Sequence, residues 1–247
     1  MGQHKHSEHD ETCVICDKKL VRLKSHQKMV CAVCGGIFDT IQACENNHFV
    51  CTGCFNLSAL ELIEQFCLSS PSEDPIQIAM TLMRNPRIEI NSPVHHYLVT
   101  ASMLTCFYNK RKEYESKKTK LRLAKDRARR LTEGFCNQYG ICGAALGNSL
   151  FLNLVLPGTE LAAEEWKLAN LLTSTTLNAI AYQGIPRCCK RNLFLSIINA
   201  VEFMRDYLKI IITHGGVDCV FSTMNPYCQK SNCPFYSHPK GTETLYE

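Results

Sequence analysis

The sequence predicts a mainly α-helical domain preceded by a small two-zinc module of cross-brace or ribbon-like form and followed by an irregular cysteine-rich tail. Three observations carry that expectation. Four Cys/His ligand pairs crowd the first 54 residues. Apolar residues then recur at helical spacing from about residue 57 to residue 208. Beyond that point the periodicity stops and three more cysteines arrive among Gly, Pro, Ser and Asn. The expected division is 1–56, 57–215 and 216–247.

The composition frames these elements. A chain of 247 residues can bury one substantial core and carry a satellite module. Its 45% hydrophobic and 20% charged content is that of a globular protein, not of a disordered or fibrous one. No apolar run is long enough for a bilayer, so no membrane partner is expected. The opening Met1-Gly2-Gln3-His4-Lys5-His6 lacks the apolar stretch of a signal peptide, and His6 stands where myristoylation needs Ser or Thr. The expected compartment is the cytoplasm, where sixteen cysteines read as metal ligands or reactive thiols rather than disulfides.

In order along the chain, the ligand pairs are Cys13 and Cys16, Cys31 and Cys34, Cys44 and His48, and Cys51 and Cys54. Three are C-x-x-C knuckles, whose short spacing turns both sulfurs toward one tetrahedral ion. Eight ligands make two four-coordinate zinc sites, and the segment has too few apolar residues to fold without them. Sequential ribbons and an interleaved arrangement both satisfy the spacing. The run from Cys44 through His48 and Cys51 to Cys54 resembles the middle of RING-type modules, which favours interleaving, but the residue order departs from theirs and no ubiquitin-ligase role follows. His4, His6, His9 and His26 are expected in solvent.

Helices follow. One spans 57–68, a second starts at Asp74-Pro75 and runs to about Arg84, and a third takes Ser92 as N-cap and Pro93 as its first residue. Its apolar stripe comprises Val94, Tyr97, Leu98, Ala101, Leu104 and Tyr108, and His95 and His96 in its first turn should flank that stripe as surface or cap residues. Residues 110–130 hold eleven Lys or Arg against Glu113, Glu115 and Asp126, a net +8 that could hold RNA or another acidic partner, or be a solvated connector. Gly134 to Gly147 is rich in glycine and alanine around Cys136 and Cys142. Thr159 is expected to cap a helix with Glu160, Glu164 and Glu165 near its start and Trp166, Leu168, Leu171, Leu172, Leu177 and Ile180 in the core.

That helix leads to Gly184-Ile185-Pro186-Arg187-Cys188-Cys189-Lys190-Arg191. Gly184 and Pro186 break one helix, and Cys188 and Cys189 open the next, where the dipole and three cations should favour a thiolate. Cys188 and Cys189 are candidate transfer or redox thiols, with Lys190 and Arg191 stabilising their charge. The tail adds Cys219, Cys228, Cys233 and His238 at spacing C-x8-C-x4-C-x4-H, displaced from the RNA-binding CCCH finger, and Cys219, Cys228 and Cys233 are read as metal ligands.

Taken together, Pro93-x-His95-His96, Cys142-Gly143-Ala144-Ala145, Glu165-Trp166, Pro186-Arg187-Cys188-Cys189-Lys190-Arg191 and Cys233-Pro234-Phe235 resemble a cysteine-rich family of unknown function from anaerobic archaea and bacteria. The resemblance covers nearly the whole chain. It departs at Asn91-Ser92-Pro93-Val94, where the family run resembles His-Gly-Pro-Glu, and at Ile185, where a second glycine is usual. It implies an anaerobic setting and a common site built from the motif residues.

Two functions from different classes follow. In the first, Cys136, Cys142, Cys188 and Cys189, with His95 or His96, hold an iron–sulfur cluster or another thiophilic metal and transfer sulfur, a methyl group or electrons. In the second, the zinc module and basic segment form a non-catalytic adaptor for RNA or a protein. No G-x-G-x-x-G, Walker loop, H-E-x-x-H or C-x3-C-x2-C selects a nucleotide, protease or radical chemistry.

Overall fold

The computed structural model describes residues 12–16, 18–131, 133–156 and 163–237. It is mainly helical, with a single two-stranded sheet among the described residues. Strands β1 (Leu20–Val30) and β2 (Ile37–Cys44) form an antiparallel hairpin. Its register pairs Leu20 with Cys44 and Val30 with Ile37, and slips between Arg22 and Gln27. Nine helices follow among the described residues: α1 (Thr52–Phe55), α2 (Ala59–Ser69), α3 (Pro75–Met83), α4 (Val94–Arg111), α5 (Tyr114–Ala128), α6 (Phe135–Tyr139), α7 (Gly143–Val155), α8 (Ala163–Tyr182) and α9 (Cys189–Leu208). The chain from 209 to 237 is irregular apart from a 3-10 turn at Lys230–Asn232.

Local chemistry sets the helix starts. Ser58 and Glu61 form a capping box before α2. Asp74 Oδ1 accepts the N–H groups of Ile76 and Gln77 at 2.8 and 3.1 Å, with Pro75 as the first residue of α3. Ser92 Oγ accepts Val94 N–H at 3.3 Å, so α4 begins one residue later than the Pro93 expected. Thr159 and Glu160 lie outside the described residues.

Helix α4 is the hub. It packs against α2, α3, α5, α7 and α9, and every residue from His95 to Asn109 is buried. A helix surrounded by others has no solvent face, so the one-sided stripe expected from its sequence does not exist. His95 and His96 are therefore inside, 0% and 4% exposed, not at the surface.

Helix α5 turns Lys117, Leu121, Ala124 and Ala128 inward. Lys117 Nζ donates to Asn109 Oδ1 at 2.8 Å and to Ser70 O at 3.3 Å, and burial lowers its pKa. Lys125 pairs with Glu64 of α2. Part of the basic segment thus docks α5, while Lys118 and Arg122 remain exposed.

Helix α8 is an outer layer, touching α7 and α9. Of the six residues expected as its core, Leu172 is fully buried, Leu168 and Leu171 pack partly against the core, and Trp166 is 63% exposed. Asn148 of α7 ties this layer together, donating to Thr176 Oγ1 at 2.9 Å and to Ser196 O at 2.8 Å.

One apolar cluster runs from Val33, Cys51 and Cys54 through α2–α5 and α7–α9 to Phe221 and Phe235. Among the described residues no helix is long and apolar enough to cross a membrane.

Helices α4 and α7 cross where Gly147 leaves room. A Cβ at Gly147 would sit 2.6 Å from His96 O and 3.0 Å from Val99 Cβ. Thr100 Oγ1 also donates to Gly147 O at 2.8 Å. Gly147→Ala should therefore destabilise the helical body by about 1–3 kcal/mol, as overpacking does, read as a lowered denaturant midpoint.

Candidate metal and thiol centres

The hairpin sorts the N-terminal ligands. Pairing of Leu20 with Cys44 brings Cys13 and Cys16, just before β1, to the end of β2. Cys31 and Cys34 lie at the opposite, turn end, where Gly35 takes φ +71° and Cys31 bridges to Phe49. Two groups result, Cys13, Cys16, Cys44 and His48, and Cys31, Cys34, Cys51 and Cys54, each with its ligand atoms all within 4.8 Å of one another. The first pair is joined to the third and the second to the fourth, the interleaved arrangement.

Both groups fit a tetrahedral ion. Bonds of about 2.3 Å place sulfurs about 3.8 Å apart, and Cys16 to Cys44 is 3.7 Å and Cys34 to Cys51 is 4.0 Å. His48 Nδ1 lies 3.3 Å from Cys16 Sγ and 3.5 Å from Cys44 Sγ. Backbone N–H groups support the sulfurs, among them Ile15 on Cys13 at 3.4 Å, His48 on Cys44 at 3.2 Å and Cys51 on Cys31 at 3.4 Å. Burial pushes Cys13 up to about 12. Cys31 is also pushed up by burial, but the N–H groups of Cys34, Cys51 and Val33 outweigh it and hold the thiol at about 7. A cation would relieve the cost of crowding such thiolates.

A second thiol centre lies in the helical body. Helix α6 is bracketed by Gly134 and Gly140, with φ +82° and +66°, and presents Cys136 to α4. Cys136 Sγ lies 3.4 Å from His96 Nε2 and accepts Gly143 N–H at 3.3 Å. The Cys142 thiol also hydrogen-bonds to Cys136, and this bond, with those from His96 and Gly143, draws Cys136 down to about 4 against the opposing effect of burial. Cys142 is pushed up by the same contact and by burial, and accepts Asn192 Nδ2 at 3.4 Å. A cavity of about 190 Å³ beside Cys136 is lined by Asn91, Ser92, His96, Arg187 and Cys189. A second, of about 360 Å³, is also lined by Cys136, with Cys142, Arg187 and Asn192.

Gly143 makes this possible. A Cβ there would fall 2.4 Å from the His96 ring. Asn192 was not singled out from the sequence and Gly143 entered only within the Cys142-Gly143-Ala144-Ala145 run; the fold shows them touching the thiols and the imidazole.

The expected quartet of core thiols divides. Cys136 and Cys142 meet, and Cys189 lines the first cavity. Burial raises the Cys189 thiol against the pull of Arg187, so the helix start does not favour its thiolate as expected. Cys188, the N-cap of α9, faces a different cavity, with Cys219, Cys228 and Cys233. His95 Nδ1 contacts Ser92 O at 3.0 Å, and burial and nearby Lys190 lower its pKa to about 3, so it stays neutral. Lys190 and Arg191 are 1% and 3% exposed. Lys190 Nζ donates to Met83 O and Ile88 O at 3.1 and 3.4 Å, and Arg191 binds Gly184 O, Pro186 O and Gln229. His4, His6, His9 and His238 lie outside the described residues.

A family match covers residues 63–236, more than two thirds of the chain. The chain belongs to the family of unknown function DUF5714. No curated protein and no solved structure matches it. The DUF5714 match starts within α2 and ends in the tail, so it takes in Cys136, Cys142, Cys188, Cys189 and the tail cysteines. The eight ligands of the N-terminal module precede it.

Two outcomes check these centres. Cys16→Ser and Cys34→Ser should each release one metal equivalent from the N-terminal module, while Cys67→Ser, a wholly buried thiol of α2, should release none; metal analysis after gel filtration reads this. In metal-stripped protein at about pH 6, iodoacetamide should label Cys136 ahead of the raised thiols Cys142 and Cys189, because only its thiolate persists there. Peptide mapping shows the order, and His96→Ala should slow the Cys136 reaction.

Proposed function

We propose that this chain is a metal-binding protein of anaerobic metabolism. Two zinc ions fold its N-terminal module, and thiols of its helical body hold an iron–sulfur cluster or another thiophilic metal and transfer sulfur, a methyl group or electrons. The observation that carries the reading is the Cys136–His96 contact of 3.4 Å at the edge of a cavity, with Cys142 on the same sulfur. The set offers two thiols and an imidazole beside open space, the donor types that soft metals prefer. His96 Nδ1 is buried with no hydrogen-bond partner, so the ring is placed by packing on Gly143 and keeps Nε2 toward the sulfur. The division at about 56 and 215 belongs to this proposal: a metal-folded module, a chemical body and a tail.

Metal analysis and electron paramagnetic resonance on anaerobically prepared protein test it. Thiophilic metal beyond two zinc equivalents, reduced in a variant of the body's cysteines, is the expected result. Zinc at two equivalents alone, unchanged in every such variant, sinks it.

A second reading is favoured by one observation. Lys118 and Arg122, four residues apart on α5, share an exposed face. An adaptor would present that face, and its zinc module, to RNA or an acidic protein. If so, replacing both by Ala should flatten the salt dependence of RNA binding by roughly 0.7 per lost phosphate contact.

A further inference from the structure

Apart from Cys67 and Cys106, which are buried in α2 and α4, the cysteines outside the two centres above gather in one place. Cys188 begins α9, and Cys219, Cys228 and Cys233 come from the irregular tail, yet all four line one small cavity walled by Phe221 and Phe235. Cys188, Cys228 and Cys233 are all within electrostatic reach of Cys219. Each sulfur accepts a backbone N–H from two or three residues further on. Arg191 donates to Cys188 at 3.5 Å and Lys230 to Cys228 at 3.4 Å, while Phe221 serves Cys219 and Phe235 serves Cys233. Asn225 Nδ2 adds a bond to Cys188 at 3.5 Å from the tail side. Such N–H···S support surrounds metal-bound thiolates, and here it recurs four times around one point.

Spacing and charge narrow what fits. No three of these sulfurs lie within 4.8 Å of one another, whereas both N-terminal groups do. That spread exceeds the roughly 3.8 Å between sulfurs on one tetrahedral ion. A group of several metal atoms is the better match, seated by an outward shift of the sulfurs around a free space of about 20 Å³. Its net negative charge would be met by Lys190 and Arg191, which are buried against the same cavity, with Lys190 Nζ 4.3 Å from the Phe221 ring centre. The tail also needs an anchor. It contributes an isolated bridge from Cys219 to Tyr236 and a three-residue turn, yet it covers Phe194 through Phe235 at 5.5 Å.

We propose that Cys188, Cys219, Cys228 and Cys233 hold a [4Fe–4S] cluster that clamps the tail onto α9, separate from the Cys136 pocket. This rests on the reading of the helical body as one that binds metal through thiols, and assigns the ligands. Assembly brings two ferrous ions, two ferric ions and four sulfides together with four deprotonated cysteines, with no net electron transfer, and displaces the thiol protons to solvent.

Protein prepared without oxygen should contain about four iron and four sulfide beside two zinc. Cys188→Ser and Cys228→Ser should each lose about four iron and keep the zinc, and Cys136→Ser should keep those four iron and the zinc, losing only metal held in its own pocket. Should these variants fold poorly, iodoacetamide mapping of the unaltered protein serves instead: the four cysteines should be protected until an iron chelator is added. Iron lost with Cys136→Ser but retained in Cys188→Ser and Cys228→Ser overturns the assignment while leaving a thiol-bound metal in the body. A third zinc equivalent in place of iron likewise overturns the cluster. No metal beyond two zinc equivalents in any preparation overturns both.

Discussion

The close approach of α4 and α7 is the constraint on which the helical body depends. Two glycines one turn apart, Gly143 and Gly147, let the α7 backbone lie against the start of α4, with Thr100 bonded across the gap. The same approach fixes the chemistry. His96 lies over Gly143 with no room for a side chain between them, and α6, immediately before α7, hands Cys136 to the imidazole. Backbone packing, rather than a hydrogen bond to Nδ1, orients the ring.

Desolvation governs the opening of α9 more than the helix dipole does. The dipole and the cations around Cys188–Cys189 argue for thiolate, yet Cys189 is raised because the turn is buried. Burial also lowers Lys190 to about 8, with nearby thiols pulling the other way, and its ammonium is held by carbonyls at the end of α3 and just after it. Arg191 likewise joins the 184–186 loop to Gln229 of the tail. Residues expected to serve the thiols directly also join three separate segments to α9.

Several elements were legible because their signals are local. The C-x-x-C spacing, the Asp74-Pro75 start and the helical periodicity of 57–208 depend on neighbours within one or two turns, and the structure has these elements near the expected places. Helix faces were less legible. Helix α4 reads as amphipathic yet is wrapped on all sides, and Trp166 reads as core yet sits on an outer helix. Burial of a face is a property of what packs there, and the sequence of one helix does not contain its neighbours.

By itself, the sequence determined the fold class, the eight spaced candidate ligands at the front and the further cysteines behind them. The tertiary structure decided which thiols meet. It joined the N-terminal pairs alternately through the register of a hairpin, parted Cys188 from Cys189, and turned Cys188 toward a tail more than thirty residues away. Adjacent residues point in different directions, and only the packing of whole helices says what stands in each direction.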